Sequence, residues 1–276
     1  MEKFDSKLIY ITGGSSGIGL EIARQLVPQG ADIVLFARNR DNLEKARREI
    51  EKNKKRESQR IMCMSLDVQS DDNVRQAMKR AVEEFGIPDI LVNSAGIGHS
   101  DYFENITYGT FDTIIKTNLY GTRNVIAALL PHMKRKGGSI VITSSLAGLV
   151  SIFGYTAYGT SKFALVGFSE SLRAELKPRG IHVSVVCPPE VDTPLVIHEG
   201  KTIPPEARTV KNMGGLLKPE LVARRIIKGI RKKRYMIIPG FLAKFMYYLQ
   251  RFSPGWMFRL SSDLIARWGA IKAARG

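Results

Sequence analysis

The fold of this chain is decided by residues 12–19, Thr12-Gly13-Gly14-Ser15-Ser16-Gly17-Ile18-Gly19. An apolar run, residues 8–11, precedes this stretch, and a helical pattern, residues 18–27, continues from it. A glycine-rich turn between a buried strand and a helix lets the backbone approach a pyrophosphate closely, and the helix N-terminus then faces the anion with free N–H groups. Taken alone, the turn is also compatible with a tight strand-to-helix connection that holds no ligand.

Short apolar runs alternate with amphipathic helical stretches along most of the chain. This pattern predicts an α/β fold, a doubly wound parallel sheet of about seven strands with helices on both faces. The expected strands are 8–11, 32–36, 61–66, 89–92, 139–142, 182–186 and 235–238. The expected helices include 18–27, 40–54, one that starts after Ser70, 108–134 and 156–177. We expect a dinucleotide-binding and catalytic domain over residues 1–240, with a substrate lid at about 195–217, and an amphipathic helical extension over 241–276.

The composition restricts the partners and the compartment. The 276 residues carry 42 Lys and Arg against 26 Asp and Glu, and the net charge of +16 indicates affinity for anions. No nucleic-acid-binding motif accompanies this charge, so we expect no nucleic acid partner. The four histidines show no metal-ligand spacing, and the two cysteines lie in apolar strand-like contexts, which predicts neither a metal site nor a disulfide. The N-terminus lacks the apolar core of a signal peptide, and we expect a cytoplasmic protein.

A tyrosine and a lysine one helical turn apart are the candidate catalytic pair. Tyr158 and Lys162 share one face of a predicted helix. A phenol with a pKa of roughly 10 is a poor acid–base catalyst at neutral pH, and a neighbouring ammonium is expected to lower that pKa. Ser145, thirteen residues before the tyrosine, ends a predicted strand, where its hydroxyl can stabilise charge on a carbonyl oxygen. Ser144 is the neighbouring candidate, and the pair alone is also compatible with the surface of a helix.

The order and spacing of four features resemble those of the short-chain dehydrogenase/reductase family, over about residues 5–195. These features are the glycine turn, Asn93-Ser94-Ala95-Gly96, Ser145 and Tyr158-Gly159-Thr160-Ser161-Lys162. The resemblance implies a Rossmann-type fold and an NADP-dependent oxidoreductase that pairs as a homodimer through helices 108–134 and 156–177. The implied catalytic residues are Asn118, Ser145, Tyr158 and Lys162. The implied cofactor-binding residues are Gly13, Ser15, Ser16, Gly17, Ile18, Gly19, Arg38, Asp67, Val68, Asn93, Ala95, Gly96, Tyr158, Lys162, Pro188, Val191 and Thr193.

The end of the second strand indicates which dinucleotide is bound. An acidic residue there accepts from the ribose hydroxyls of NAD, whereas a 2′-phosphate needs a cation. The chain has Arg38 at this point and no acid before Asp41, which favours NADP(H). Ser16 departs from the basic residue that many NADP-using relatives place just before the second glycine. An exposed arginine at a helix start is the alternative interpretation.

Three further strings indicate a lipid ketone as substrate. They are Gly154-Tyr155-Thr156-Ala157-Tyr158, Pro188-Pro189-Glu190-Val191-Asp192-Thr193-Pro194 and Lys218-Pro219-Glu220. Within the family they look most like the 3-ketodihydrosphingosine reductases, which implies NADPH-dependent reduction of a ketone on a long-chain sphingoid base. The alternatives are a steroid, retinoid or 3-oxoacyl reductase, and a non-catalytic NADP-binding protein associated with a membrane.

The C-terminal sequence combines cations with apolar and aromatic residues. Seven cations lie between Arg224 and Arg234 with no acid among them. Apolar residues follow at helical spacing: Phe241, Leu242, Phe245, Met246, Leu249, Phe252, Trp256, Met257, Phe258, Leu260, Leu264 and Trp268. This pattern favours a helix that lies in a membrane interface, and hence a peripheral protein on a membrane surface. The alternative is a helix pair that packs on the core or on a partner subunit.

Overall fold

The parallel sheet has the strand order that a doubly wound fold requires. The computed structural model describes residues 4–200, 202–208, 215–254, 256, 260, 263–264 and 267. The strands are β1 Leu8–Thr12, β2 Asp32–Ala37, β3 Ile61–Ser65, β4 Ile90–Asn93, β5 Gly138–Thr143, β6 Ile181–Val186 and β7 Met236–Ile237. They pair in parallel in the order β3-β2-β1-β4-β5-β6-β7. The strand order reverses between β1 and β4, and ligands of such sheets bind at the carboxyl ends of the strands beside this point.

Helices cover both faces of the sheet. They are α1 Gly17–Leu26, α2 Arg40–Glu51, α3 Asp71–Phe85, α4 Tyr108–Ile115, α5 Gly121–Lys136, α6 Thr156–Leu176, α7 Pro194–Glu199, α8 Pro219–Arg231 and α9 Phe241–Phe252. Ser70 begins α3 as predicted, because its hydroxyl accepts the N–H of Asn73. Asn39 caps α2 in the same way through the N–H of Asn42.

Two apolar layers hold the helices against the sheet. Alternate residues of β1 face opposite sides, so that Ile9 and Ile11 belong to one layer and Leu8 and Tyr10 to the other. The first layer takes the buried faces of α1, α2 and α8, and the second takes those of α3, α5 and α6. Burial of apolar surface on both sides of one sheet therefore confirms the predicted fold class.

The prediction of one continuous α-helix over residues 108–134 is wrong in its interior. A π-helical segment, Lys116–Tyr120, separates α4 from α5. Such a wider turn often occurs at functional sites because it redirects the side chains within it. Here it contains Asn118, which points into the protein and is fully buried. A periodicity argument averages over this single irregular turn and does not detect it.

The connection predicted as a lid is partly helical. It begins with α7 and ends at Leu217, which forms an isolated β-bridge with Val191. The N–H of Leu217 donates to the carbonyl of Glu190 at 2.9 Å, and the N–H of Asp192 donates to Leu217 at 3.0 Å. These contacts hold both ends of the connection beside the site.

The C-terminal helix α9 packs on the catalytic domain along one side. Ala243 is fully buried, and Met246 and Tyr247 pack with it against a cluster that includes Val185 and Ile238. The predicted residues Met257, Phe258, Arg259 and Trp268 lie outside the described residues, and Trp256, Leu260 and Leu264 are exposed. Among the described residues, no helix combines the length and the apolar character needed to cross a membrane.

Candidate active site

The glycine-rich turn after β1 forms one wall of the site. Gly13 and Gly17 have φ angles of +67° and +55°, which residues with a Cβ rarely adopt. A Cβ on Gly13 would lie 2.7 Å from the backbone of Ser94 and Ala95, so the turn packs directly on the segment after β4. Ser16 precedes α1 and makes no side-chain cap hydrogen bond. The first N–H groups of α1 are thus left uncapped by Ser16 and can face an anion.

Thr12 joins this turn to the end of β4. Its Oγ1 accepts the N–H groups of Ser94 and Ala95, each at 3.3 Å, a contact that the motif analysis missed. Asn93 is buried, and its side-chain amide has no hydrogen-bond partner among the described residues. Gly96 follows and lines the central cavity. The segment 93–96 therefore packs against the glycine turn.

The candidate catalytic pair lies on the buried face of α6. Tyr158 is 9% exposed and Lys162 is 5% exposed, which contradicts the alternative of two residues on a helix surface. The Lys162 Nζ is 5.4 Å from the centroid of the Tyr158 ring. It also donates to the carbonyl oxygen of Thr143, at the end of β5, at 3.1 Å. The end of β5 and one turn of α6 thus meet at the ammonium group.

The structure distinguishes the two adjacent serines. Ser144 is buried, and its hydroxyl donates to the carbonyl of Lys162 at 2.8 Å, so that it joins β5 to α6. The Ser145 Oγ accepts the N–H of Ala147 at 3.1 Å, and its hydroxyl lies close enough to the Tyr158 phenol to favour a lower pKa of that phenol. Ser145 is therefore the serine that stands beside the phenol, in agreement with the predicted spacing.

Asn118 connects the π-helical segment to the site. Its Oδ1 accepts the N–H of Ile97 at 2.9 Å, and its Nδ2 donates to the Ile97 carbonyl and to the Ser161 hydroxyl, both at 3.0 Å. A Cβ on Gly96 would lie 3.1 Å from the Asn118 Oδ1 and 3.6 Å from the Lys162 Nζ. The Asn118 amide and the Lys162 ammonium therefore both lie beside Gly96, within 4 Å of the place where its Cβ would stand.

Burial governs the protonation of the pair. It raises the pKa of Tyr158 above its ordinary value, as does the negative charge of Glu199, and the hydrogen bond with Ser145 opposes them. Burial also lowers the pKa of Lys162 to about 8. The expectation of a lowered phenol pKa is therefore wrong for the protein without its cofactor, because desolvation of the phenolate, together with Glu199, raises the pKa. The phenol is protonated at neutral pH, which is the form that can donate a proton.

One cavity joins the glycine turn to the catalytic pair. Its volume is about 220 Å³. The predicted site residues that line it are Gly13, Ser16, Gly17, Ile18, Gly96, Ser145, Tyr158, Lys162, Pro188, Val191 and Thr193. The predicted residues outside its lining are Ser15, Gly19, Arg38, Asp67, Val68, Asn93, Ala95 and Asn118. Arg38 and Asp67 are exposed at the ends of β2 and β3, and Val68 is buried in the second apolar layer.

Among the cavity residues that were not predicted as site residues are Tyr155, Glu199 and Met246. Tyr155 lies three residues before Tyr158, and the centroids of the two tyrosine rings are 5.6 Å apart. Glu199 enters from α7, and Met246 enters from α9. The sequence carries no motif for Glu199 or Met246, because both reach the cavity only through the path of the C-terminal third of the chain.

The fold and the site together define a nicotinamide-dinucleotide-dependent oxidoreductase. The residues present fit such a cofactor: two glycines with positive φ angles and an uncapped helix N-terminus form a cradle at the switch point of the sheet. The same cavity continues to a protonated phenol and a buried ammonium. The glycine turn, Ser145, Tyr158 and Lys162 would hold the dinucleotide and a carbonyl compound side by side.

Comparison with known proteins identifies the family. A model of the short chain dehydrogenase family matches residues 7–203, and this chain belongs to that family. The chain is 43% identical over 222 residues to the 3-ketodihydrosphingosine reductase of Bos taurus, covering 80% of this chain and 67% of that protein. It is 40% identical over 228 residues to the 3-dehydrosphinganine reductase of Danio rerio, covering 82% and 69%. An alcohol dehydrogenase structure from Thermococcus sibiricus, complexed with 5-hydroxy-NADP, matches with a TM-score of 0.72 and 28% identity over 85% of this chain and 96% of that chain.

Replacement of Lys162 by methionine is expected to stabilise the cofactor-free protein more at pH 7 than at pH 10. The folded pKa is about 8 against an ordinary value of 10.5, so the buried ammonium costs stability below pH 8, and this cost is lost as the pH rises from 8 to 10.5. Urea unfolding of wild type and Lys162→Met should show a stability difference that shrinks by roughly 2–3 kcal/mol between these pH values. Lys79→Met, at an exposed position on α3, is the control. A difference that is the same at both pH values would mean that the ammonium remains hydrated.

Proposed function

We propose that this protein reduces the ketone of a long-chain lipid with NADPH, and that its substrate is 3-ketodihydrosphingosine, which becomes dihydrosphingosine. The observation that carries the proposal is the presence of the Tyr158 phenol in one cavity with the glycine turn. Apolar side chains from several elements line the same cavity, among them Ile152, Val196 and Met246, which suits a hydrocarbon chain. The choice of substrate is supported by the curated relatives, which are named for this reaction at 40–43% identity.

In the proposed mechanism, Tyr158 gives its phenolic proton to the carbonyl oxygen. The bound reduced nicotinamide supplies the hydride that the carbonyl carbon receives. Ser145 donates a hydrogen bond to the same oxygen, and because its Oγ accepts from Ala147, its own proton is directed away from the backbone. Lys162 stabilises the phenolate that remains, from a position 5.4 Å from the ring centroid. We propose that a water between Lys162 and Asn118 returns the proton.

The reaction is tested by NADPH consumption with purified protein and a panel of ketones. The panel contains 3-ketodihydrosphingosine, a steroid ketone and a 3-oxoacyl thioester, each with and without lipid vesicles. We expect the highest kcat/KM with 3-ketodihydrosphingosine. A higher value with one of the other ketones would favour the second candidate, a different carbonyl reductase of the same family. Tight NADPH binding with no turnover of any ketone would favour a non-catalytic cofactor-binding protein.

Replacement of Arg38 by leucine is expected to weaken NADPH binding about 10- to 100-fold and to leave NADH binding unchanged. Arg38 is exposed directly after β2, where a guanidinium can form a charge-assisted pair with the 2′-phosphate of NADP. The KM for each cofactor, measured at fixed ketone concentration, gives the preference. Arg48→Leu is the matched control because Arg48 is an exposed arginine on α2. An equal rise in KM for both cofactors would overturn the assignment of Arg38 to the 2′-phosphate.

We propose that α9 attaches the protein to an anionic membrane surface. Its outer side exposes a set of apolar residues, Phe241, Leu242, Phe245, Tyr248, Leu249 and Phe252. Lys244 and Arg251 are exposed on the same helix, which has no acidic residue, so its charge complements anionic lipid headgroups. The opposite side of α9 carries Met246 into the cavity. A contact of α9 with the bilayer would therefore lie beside the substrate site, where a long-chain ketone could enter laterally.

Substitution of Phe241, Phe245 and Phe252 by serine is expected to lower the binding of the full-length protein to phosphatidylserine-containing vesicles by more than about tenfold. Burial of each phenylalanine in the interface contributes on the order of 1.5–3 kcal/mol. Co-sedimentation measures the bound fraction, and Phe103→Ser is the control because Phe103 is exposed on a different part of the surface. Equal pelleting of the triple variant and wild type would remove the membrane assignment of α9.

We further propose that the protein forms a homodimer through the α4–α5 pair and α6. These helices expose large apolar side chains at Tyr108, Tyr120 and Phe163, and pairing would remove them from water. Light scattering of the purified protein measures the mass, and a monomeric mass at micromolar concentration would exclude this assembly.

A further inference from the structure

The lid places a carboxylate in the cavity that contains the catalytic pair. Glu199 is the last residue of α7, is 3% exposed and lines the cavity together with Ser145 and Tyr158. The Tyr155 hydroxyl donates to its Oε2 at 3.2 Å. A Cβ on Gly98 would collide with the carboxylate, so the glycine after β4 leaves the space that Glu199 occupies. The carboxylate is thus held in position from α6 and accommodated by the loop after β4.

A buried carboxylate at this place is unfavourable for the reduction of an uncharged ketone. Negative charge develops on the carbonyl oxygen as the reaction proceeds, and donors or cations stabilise it, whereas a nearby anion opposes it. The same charge raises the pKa of Tyr158, which makes the phenol a weaker acid. A cation on the substrate, next to the reacting carbon, would offset both effects.

The proposed substrate carries such a cation, and the following inference rests on that proposed function. An amino group on the carbon next to the ketone is largely protonated at neutral pH, as α-amino groups are. An ammonium offers three N–H donors and forms charge-assisted hydrogen bonds with a carboxylate. We infer that Glu199 binds the ammonium of an α-amino ketone and so selects substrates with an amino group beside the carbonyl.

The position of Glu199 distinguishes it from the other carboxylates near the lid. Glu190 also lines the cavity but is only partly buried, so water screens its charge more effectively. Glu206 is nearly as buried as Glu199 and accepts the hydroxyl of Tyr102 at 2.9 Å, but it is not among the residues that line the cavity. Glu206→Gln is therefore a matched control: it removes the charge of a lid carboxylate that is held by a tyrosine outside the substrate space.

The inference is tested with full-length Glu199→Gln and two ketones of equal chain length. One is 3-ketodihydrosphingosine, and the other is its analogue without the amino group. With NADPH, we expect kcat/KM for the amino ketone to fall about 10- to 100-fold, while kcat/KM for the deaminated ketone remains within about threefold or rises. Glu206→Gln should change neither value by more than about threefold. Glu199→Asp, which keeps the charge, should recover part of the preference for the amino ketone.

Each outcome separates this inference from the proposed function. Equal losses on the two ketones would show that Glu199 only positions Tyr155 and the lid, and would overturn the inference while the reductase assignment stands. Equal kcat/KM of the wild-type protein for the two ketones would also overturn the inference, and the reductase assignment would still stand. A wild-type protein that reduces neither ketone would remove the proposed function, and the binding of dihydrosphingosine to wild type and Glu199→Gln then decides the inference. Binding that is about 10-fold weaker in the variant would support it, and equal binding would overturn it.

Discussion

Replacement of Tyr158 by phenylalanine is expected to lower kcat for ketone reduction by about 1,000-fold or more, while NADPH still binds with nearly wild-type affinity. Proton transfer by a positioned acid contributes about 10²- to 10⁴-fold to a rate, and the phenol is the group that stands protonated beside Ser145 in the cavity. The ring remains in the variant, so the packing around residue 158 is preserved. Single-turnover kinetics measures the loss, and the fluorescence of bound NADPH measures the affinity.

Tyr155→Phe is the matched control for this experiment. Tyr155 lines the same cavity and directly precedes α6, with its ring 5.6 Å from that of Tyr158. Its hydroxyl bonds to Glu199 and not to Ser145, so its loss should lower kcat by less than about tenfold for any ketone. Undiminished turnover in Tyr158→Phe, or a larger loss in Tyr155→Phe, would assign the proton to a different donor.

Replacement of Gly13 by alanine is expected to weaken cofactor binding by more than about 100-fold and to lower the stability of the protein. The φ angle of +67° costs about 1–2 kcal/mol for a residue with a Cβ. In addition, the new Cβ would lie 2.7 Å from backbone atoms of Ser94 and Ala95, which cannot rotate away as a side chain can. The turn must therefore move, and the cradle at the start of α1 moves with it. Titration with NADPH and urea unfolding measure the two effects.

Gly180→Ala separates backbone strain from collision. Gly180 has nearly the same φ angle, +69°, but its Cβ would meet nothing within 4 Å among the described atoms. This variant should lose about 1–2 kcal/mol of stability. It should keep full cofactor affinity, because Gly180 ends the turn after α6 and is not among the residues that line the cavity. A Gly13 variant with the same small loss and with normal NADPH affinity would mean that the glycine turn does not hold the cofactor.

The regular elements could be predicted because each depends on local pattern. The apolar runs around Ile9, Val34 and Ile140 become interior strands, and Ser70 caps α3 through its own next turn. The shared helix face of Tyr158 and Lys162 could be predicted for the same reason, because a spacing of four residues places both on one side whatever surrounds the helix. The π-helical turn around Asn118 could not, because it depends on side-chain contacts with Ile97 and Ser161, which are distant in sequence.

The amino-acid sequence by itself determined the parallel sheet, the glycine turn after its first strand, and the choice of Ser145, Tyr158 and Lys162 as the candidate catalytic group. Hydrophobic periodicity and motif spacing are short-range properties, and the chain carries them in any environment. Only the tertiary structure decided that Ser144 holds α6 while Ser145 faces the phenol, and that Met246 and Glu199 enter the cavity. It also decided the pKa shifts of Tyr158 and Lys162, because a pKa depends on how completely packing removes water from a group, and packing brings together residues that the sequence keeps far apart.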